Sequence, residues 1–410
     1  MSRASLRSDI QPVILGGDLS AYPMGREFYE AYGLTSICVA PKPIAAIKHS
    51  RFFCHYYVEQ IHQESVRDAL LDLAHEYRDK KLVVLGNWDA AVEMLEQLAP
   101  GLPANVICPI PPHEPCKLVS DKLTFAELCA RHDLVTPRTE VVRLAGTEPI
   151  PPTAVPFPLV AKPSVSSEYS HLHVRGFQKV YFMQEQAQLD LLWHDLREVG
   201  FAGEFLVQEL ISGDDTYMDS ITMYVNRNGV ATLQSSAQVL LEDHTPSLFG
   251  NPVAMITRPM PELWEHVAAM LKEIGWHGFA NIDLKRNPTT GTPVFMDFNP
   301  RVGANSYYSA AAGANPMRIL VEDYIDGICD THCISDSILY TRVPVRLTRR
   351  YVRDSQLLAE YDALVRAGKV YNPLCCPEDT VLSRMYGTAM TENFVKKFKQ
   401  YYSEPTDTSF

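Results

Sequence analysis

Hydrophobic and polar residues alternate along two neighbouring segments, and this pattern predicts a β-hairpin. The segments are residues 278–286 and 293–301, joined by the turn-rich residues 287–292. Because alternate residues of a strand share one face, each segment has an apolar side and a side that carries its acids. The side chains predicted on the acid-bearing side are Asn281, Asp283, Lys285, Phe295, Asp297 and Asn299.

Symmetrical closure of this hairpin about Thr290 predicts that Asp283 lies directly opposite Asp297. Like charges are destabilising in that arrangement, because opposed Cβ atoms are about 4.5 to 5.5 Å apart. A cation would offset the repulsion, and carboxylate and amide oxygens suit Mg²⁺. The alternative is a solvent-facing hairpin whose acids pair with Lys285 and Arg286.

The first part of the chain alternates between short apolar runs and helical patterns, which predicts a doubly wound α/β domain. The predicted strands are 12–15, 35–40 and 81–86, and the predicted helix is 20–32. Ligands of such domains bind at the carboxyl ends of the strands. The loop after the first strand therefore provides two candidate substrate residues, Gly17 and Asp18.

Beyond this domain the pattern predicts a mixture of strands and helices. The predicted strands are 159–163, 178–182 and several within 204–256, and the predicted helices are 122–132, 184–198, 353–367 and 391–402. A polar stretch within this part of the chain holds three further candidates for substrate contact, Glu242, His244 and Asn251.

Composition and charge narrow the class of protein. The chain has 410 residues, of which 46% are hydrophobic, and a net charge of −12. This charge argues against a nucleic-acid-binding protein, which needs a basic face. Neither a membrane span nor a signal peptide is recognisable, so we expect a cytoplasmic protein. The nine cysteines form no Cys-x-x-Cys pair, and we expect reduced thiols.

Five motifs in order resemble those of the ATP-grasp ligases. They are Ser120-Asp-Lys122, Leu159-Val-Ala-Lys-Pro-Ser164, Val207-Gln-Glu-Leu-Ile-Ser-Gly-Asp-Asp215, Asn281-Ile-Asp283 and Asp297-Phe-Asn-Pro-Arg301. The Lys-Pro-Ser loop with Ser-Ser-Glu-Tyr (162–169), the segment 240–246 and the N-terminal Gly-Asp-x-x-Ala-Tyr look like the carboxylate–amine ligase branch that includes D-aspartate ligases.

The resemblance implies a multidomain α/β and α+β protein with ATP-grasp architecture. The implied parts are an N-terminal α/β domain (1–118), a lid subdomain (119–207), an antiparallel catalytic subdomain (208–330) and a C-terminal extension (331–410). The implied reaction phosphorylates a carboxylate with ATP, and an amine then attacks the acyl phosphate. The implied cofactors are ATP and one or two Mg²⁺ ions, with Mn²⁺ as a substitute.

The resemblance also implies roles for individual residues. The residues implied to contact the ATP phosphates are Lys122, Lys162, Ser164, Ser166 and Ser167, while Gln208, Glu209 and Ile211 would read adenine and Asp215 would bind ribose. The implied metal ligands are Asp283, Asp297 and Asn299, and the implied catalytic residues are Lys162 and Arg301. A D-aspartate-type acid and an amine of a peptidoglycan precursor are the implied substrates.

Two departures from the family pattern leave alternatives open. Asp297 stands where the family usually has glutamate, and the loop 164–170 contains no glycine. The rival functions are another ATP-dependent ligation, such as dipeptide synthesis or carboxylation, and a catalytically silent nucleotide-binding module.

Overall fold

The computed structural model describes residues 6–164, 178 and 180–409. Ser166 and Ser167, two of the predicted phosphate contacts, lie outside the described residues. Within the described ranges the strands form three sheets. No helix of this part of the chain is long and apolar enough to cross a membrane.

The first sheet is parallel, and helices connect its strands. Its elements are β1 (Ile10–Leu15), α1 (Ala21–Tyr32), β2 (Ser36–Ala40), α2 (Ala45–Lys48), β3 (Phe53–Tyr57), α3 (Gln63–Glu76), β4 (Lys81–Leu85), α4 (Asp89–Leu98) and β5 (Val106–Ile107). The strand order is β3-β2-β1-β4-β5. Every residue of β1 is buried, as expected for a parallel strand covered on both faces. The predicted doubly wound α/β fold is confirmed.

The second sheet is antiparallel and smaller. The elements of this part are α5 (His113–Ser120), α6 (Lys122–Arg131), β6 (Thr139–Arg143), β7 (Leu159–Pro163), β8 (Tyr181–Met183), α7 (Gln186–Glu198) and β9 (Glu204–Glu209). The strand order is β6-β9-β7-β8. Leu189, Trp193 and Leu196 of α7 pack against this sheet in a core of their own.

The third sheet is the largest and contains the predicted hairpin. Its elements and the helices around it are β10 (Met218–Val225), β11 (Ala231–Asp243), β12 (Asn251–Thr257), α8 (Pro261–Glu273), β13 (Gly278–Arg286), β14 (Pro293–Asn299), α9 (Tyr307–Ala311) and α10 (Pro316–Val321). The C-terminal part adds β15 (His332–Cys333), β16 (Leu339–Thr341), α11 (Val345–Tyr351), α12 (Ser355–Arg366), β17 (Val370–Tyr371) and α13 (Val381–Tyr401). The main strand order is β14-β13-β10-β11-β12-β16-β17, and β15 pairs with β11.

The last helix begins ten residues earlier than the sequence pattern predicted. α13 starts at Val381 because the Thr380 side chain caps it by accepting a hydrogen bond from the Ser383 backbone N–H. The N-terminal half of α13 then packs against α2 of the first sheet. The C-terminal part of the chain therefore connects the first and third sheets.

The register of the hairpin is as predicted around the acids and differs beyond them. Asp283 pairs with Asp297, but a β-bulge follows, so that Leu284 pairs with Phe295. The prediction that Phe295 shares the face of the acids is wrong. The bulge turns this side chain into the core, where it is 1% exposed.

Candidate active site

The acids and amides of β13 and β14 form an oxygen-rich patch on one face of the third sheet. Asp283 lies opposite Asp297, and Asn281 lies opposite Asn299. The Asn299 amide donates to Asp283 Oδ2 at 3.2 Å and to the Asn281 carbonyl oxygen at 3.3 Å. These bonds fix the amide of Asn299 and direct its carbonyl oxygen away from Asp283.

Two lysines from other parts of the chain converge on Asp297. Lys122 Nζ lies 2.5 Å from Asp297 Oδ1, and Lys162 Nζ lies 3.0 Å from Oδ2. Lys122 is the first residue of α6, which Asp121 caps, and Lys162 lies on β7 of the second sheet. Burial opposes the ionisation of Asp297, but the two ammonium groups outweigh it and hold the pKa of this carboxyl well below its usual range.

The donor set of the patch fits Mg²⁺. Asp283, Asp297 and Asn299 all offer oxygen atoms, which Mg²⁺ prefers together with water and phosphate oxygens. The nearby lysines contribute positive charge of the kind that neutralises phosphate oxygens. The patch can therefore hold a metal–phosphate group, with the lysines on its second-sheet side.

Arg301 extends this patch toward the first sheet. Its Nε donates to Asp89 Oδ1 at 2.9 Å, and its Nη2 donates to Asn299 Oδ1 at 3.3 Å. Asp89 begins α4, directly after the carboxyl end of β4. Sequence reasoning missed Asp89 as a site residue, although the end of a parallel strand was the available signal.

The predicted adenine-reading residues lie at the end of β9. The Gln208 side chain is buried and donates to Thr139 Oγ1 at 2.9 Å. The Glu209 backbone N–H donates to the Arg138 carbonyl oxygen at 2.8 Å, while Ile211 is buried. The Glu209 N–H and the Gln208 amide are thus already engaged within the second sheet.

Asp215 lies in a buried polar cluster with two of the predicted substrate residues. Asp215 Oδ2 accepts hydrogen bonds from the Glu242 backbone N–H and from His244 Nε2, both at 2.9 Å. Burial opposes its ionisation, but the hydrogen bond and charge of His244 keep the pKa of Asp215 low. Burial also lowers the pKa of the neighbouring Lys285, against the charges of Glu242 and Asp215. Sequence reasoning did not single out Lys285 for this role.

Two of the predicted substrate residues also make contacts of their own. His244 is stacked on Tyr402 with 3.5 Å between ring centroids. The Asn251 amide donates to the Leu248 carbonyl oxygen and closes its own turn. Contact of either residue with a substrate stays a prediction.

The remaining candidates lie at the edges of the first and second sheets. Asp18 accepts hydrogen bonds from Ser20 at the start of α1, next to Gly17. The Ser164 backbone N–H, just after β7, donates to the Glu204 carbonyl oxygen at 2.9 Å. Both positions lie on loops that follow strands of their own sheets.

Solved structures share the fold of this chain. N5-carboxyaminoimidazole synthetase from Staphylococcus aureus, complexed with ADP, matches with a TM-score of 0.57 and 12% identity, over 82% of this chain and 83% of that one. The biotin carboxylase domain of the Hydrogenobacter thermophilus 2-oxoglutarate carboxylase matches with a TM-score of 0.55 and 12% identity, over 76% of this chain and 69% of that one. The predicted ATP-grasp architecture is confirmed.

One relative resembles the chain along almost its whole length. The chain is 26% identical over 405 residues to the D-aspartate ligase of Enterococcus faecium (strain Aus0004), covering 95% of this chain and 96% of the relative. The L-amino acid ligase of Bacillus licheniformis has a TM-score of 0.50 and 15% identity, over 77% of this chain and 74% of that one. No family model matches the chain. The predicted resemblance to the carboxylate–amine ligases is confirmed, as is the predicted enzyme class, an ATP-dependent ligase that forms C–N bonds.

Proposed function

We propose that this protein uses ATP to activate a carboxylate as an acyl phosphate and joins it to an amine. A carboxylate oxygen of the acid attacks the γ-phosphorus of ATP, and ADP leaves. The amine nitrogen then attacks the acyl carbon and loses a proton, and phosphate leaves with that carboxylate oxygen. Positioning and charge neutralisation are the main contributions required of the protein.

The observation that carries the proposal is the convergence of Lys122 and Lys162 on Asp297. The lysines come from two separate elements, and both are largely buried, with 14% and 15% of their side chains exposed. Two ammonium groups beside a carboxylate are arranged to take up a polyphosphate when the phosphates compete for them. Ser164 lies two residues after Lys162 and would add a contact from the loop after β7.

Asp283, Asp297 and Asn299 are the residues that would hold Mg²⁺. The ion would neutralise charge on the β- and γ-phosphates when bound. Asp297 is one methylene shorter than the glutamate usual in the family, so we propose one resident ion and leave a second to experiment.

Arg301 is the proposed contact for the transferring phosphoryl group. Its planar guanidinium suits phosphate oxygens, and it donates to Asn299 at the edge of the patch. Asp89 holds the same guanidinium from the first sheet and is a positioning residue in this proposal.

The nucleotide base would lie against the end of β9, where the proposed contacts are the backbone carbonyl of Glu209 and the backbone of Ile211, since the Glu209 N–H is already used within the second sheet. The second oxygen of Asp215, Oδ1, is buried, and the Ser409 side chain lies beside this carboxyl group. Asp215 Oδ1 is proposed to accept hydrogen bonds from the ribose hydroxyls, while Oδ2 remains hydrogen-bonded to His244.

The proposed acid is of the aspartate type, after the name of the relative, and the proposed amine belongs to a peptidoglycan precursor. The test measures magnesium-dependent release of ADP and phosphate from ATP across a panel of acids that includes both aspartate enantiomers. Each acid is assayed with and without a nucleotide-linked muropeptide amine. Release that needs both substrates supports the proposal. Release with two free amino acids or with bicarbonate would favour dipeptide synthesis or carboxylation instead, and ATP binding without turnover would favour a silent module.

A further inference from the structure

Three buried polar side chains meet near the loop that follows Arg301, and none has a complete set of partners. They are Glu27 of α1, Tyr340 of β16 and Arg342 at the end of that strand. Glu27 and Tyr340 are 0% exposed and Arg342 is 8% exposed. Buried charges and hydroxyls are costly unless they are paired, so this combination needs an explanation.

The hydrogen bonds and ion pairs of these three side chains are incomplete. Glu27 Oε1 accepts a hydrogen bond from Ser306 at 2.8 Å, while Glu27 Oε2 has no hydrogen-bond partner among the described residues. Arg342 interacts with the Tyr340 hydroxyl oxygen. In the part of the chain that the structure describes, no carboxylate forms an ion pair with Arg342, and no acceptor takes the Tyr340 hydroxyl proton.

The three groups lie near one another, since the charges of Arg342 and Glu27 both act on Tyr340. Tyr340 pairs with Met255 on β12, and the Asn305 amide donates to the Met255 sulfur at 3.3 Å. Arg342 is the first residue after β16. Burial raises the pKa of Tyr340 to about 12, the Arg342 charge acts in the opposite direction, and Glu27 raises it further.

The loop 301–306 connects this cluster to the oxygen-rich patch. It begins at Arg301 and ends at Ser306, which donates to Glu27. Between them, a Cβ on Gly303 would lie 2.6 Å from Asn281 Oδ1 and 2.5 Å from Asn305 Oδ1. The loop is therefore packed against the acid-bearing face at one end and against the cluster at the other.

We infer that Arg342, Tyr340 and Glu27 form the subsite for the non-reacting end of the acid substrate, an α-amino carboxylate. Arg342 and Tyr340 donate to its carboxylate. The ammonium group favours the ionised form of Glu27, which releases its proton to solvent and accepts from the ammonium group. The second carboxylate of the same molecule then reaches toward Arg301. The substrate class is thus an amino acid with two carboxylates, and this inference rests on the proposed function.

The experiment is a calorimetric titration of acids into the full chain with Mg²⁺ and a non-hydrolysable ATP analogue. The acids are both aspartate enantiomers, β-alanine, which lacks the α-carboxylate, and succinate, which lacks the ammonium. The wild type should bind one aspartate enantiomer tighter than either analogue by on the order of 10- to 100-fold, the range expected for a charged hydrogen bond.

Three variants test which residue causes each binding preference for aspartate. Arg342→Gln should abolish the preference for aspartate over β-alanine, and Glu27→Gln should abolish the preference over succinate. Tyr340→Phe removes a single hydroxyl, keeps the ring in the core, and should reduce the preference over β-alanine if Arg342→Gln does not fold. Arg349→Gln, at an exposed arginine paired with Asp362, is the matched control and should leave both preferences unchanged.

The experiment distinguishes a failure of the proposed function from a failure of the subsite. Absence of binding of the ATP analogue to the wild type would contradict the proposed function itself. Binding of the analogue without binding of either aspartate, or preferences unchanged in Arg342→Gln and Tyr340→Phe, would overturn the subsite and leave the ligase proposal standing.

Discussion

Asp297 accepts hydrogen bonds from Lys122 and Lys162, so its charge organises the centre of the candidate site. Asp297→Asn keeps the shape of the side chain and removes the charge that both lysines and a metal ion need. We expect kcat for ADP release to fall at least about 100-fold, the scale of losing a charged transition-state contact. Initial rates and melting temperature are the measurements. Asp362→Asn, at a partly exposed acid of α12 paired with Arg349, is the control. Full activity in Asp297→Asn would remove Asp297 from the site.

Lys162 is expected to act mainly on the nucleotide. Lys162→Ala removes an ammonium group that lies 3.0 Å from Asp297 and, in the proposal, against the ATP phosphates. KM for ATP should rise at least about tenfold, since a charge-assisted hydrogen bond contributes about 1.5 to 3 kcal/mol. Lys117→Ala, at an exposed lysine paired with Glu114, is the control. ATP kinetics equal to the wild type would show that Lys162 does not contact the nucleotide.

The sequence predicted contacts between residues that are close together in the chain. Strand alternation and a hairpin turn predict that Asp283 lies opposite Asp297, and the structure confirms this pairing. Strand alternation does not identify Asp89 or Arg342. Asp89 pairs with Arg301 of the third sheet, so its contact depends on packing between distant elements. The role proposed for Arg342 depends on such packing as well.

The loop 301–306 is the element that joins the metal patch to the proposed acid subsite. A methyl group on Gly303 would lie within 2.6 Å of the Asn281 and Asn305 side-chain oxygens, so the loop would have to move. We expect Gly303→Ala to lower the free energy of unfolding by about 1 to 3 kcal/mol and to weaken acid binding. Gly101→Ala is the matched control, because a Cβ there meets nothing within 4 Å. Chemical denaturation of both variants compares them, and equal stability would contradict the packing.

Helix α1 buries a carboxyl group whose protonation depends on folding. Burial raises the pKa of Glu27 from 4.5 to about 8, so between these values the folded protein keeps a proton that the unfolded chain releases. The contribution of Glu27 to stability therefore falls as pH rises, by up to about 1.4 kcal/mol per pH unit. Glu27→Gln removes this dependence, and its melting temperature should rise relative to the wild type from pH 5 to pH 8. A constant difference across this range would contradict the shift.

At the element scale, helices and strands were predictable and their exact alignment was not. The parallel strands of the first sheet follow from apolar runs between helical patterns. The bulge after Asp283 could not be read from alternation, and it moved Phe295 to the core. The early start of α13 follows from the Thr380 cap, a local signal that the hydrophobic pattern alone does not contain.

The whole molecule brings together residues that are far apart in the chain. Lys122, Lys162 and Asp297 meet because the second and third sheets face each other across the candidate site. The order of the motifs predicted this architecture through the family resemblance. The role of the C-terminal part was not predictable, since it carries no motif, yet it supplies β16 and with it Tyr340 and Arg342.

The central claim is that ATP activates the acid as an acyl phosphate. The direct test uses aspartate with ¹⁸O in its carboxylates, together with ATP, Mg²⁺ and the amine, and analyses the released phosphate by mass spectrometry. The proposed mechanism predicts one ¹⁸O atom in each phosphate and ADP as the other product, because the carboxylate oxygen that attacks the γ-phosphorus leaves with the phosphate. Unlabelled phosphate, or label found in AMP, would contradict it.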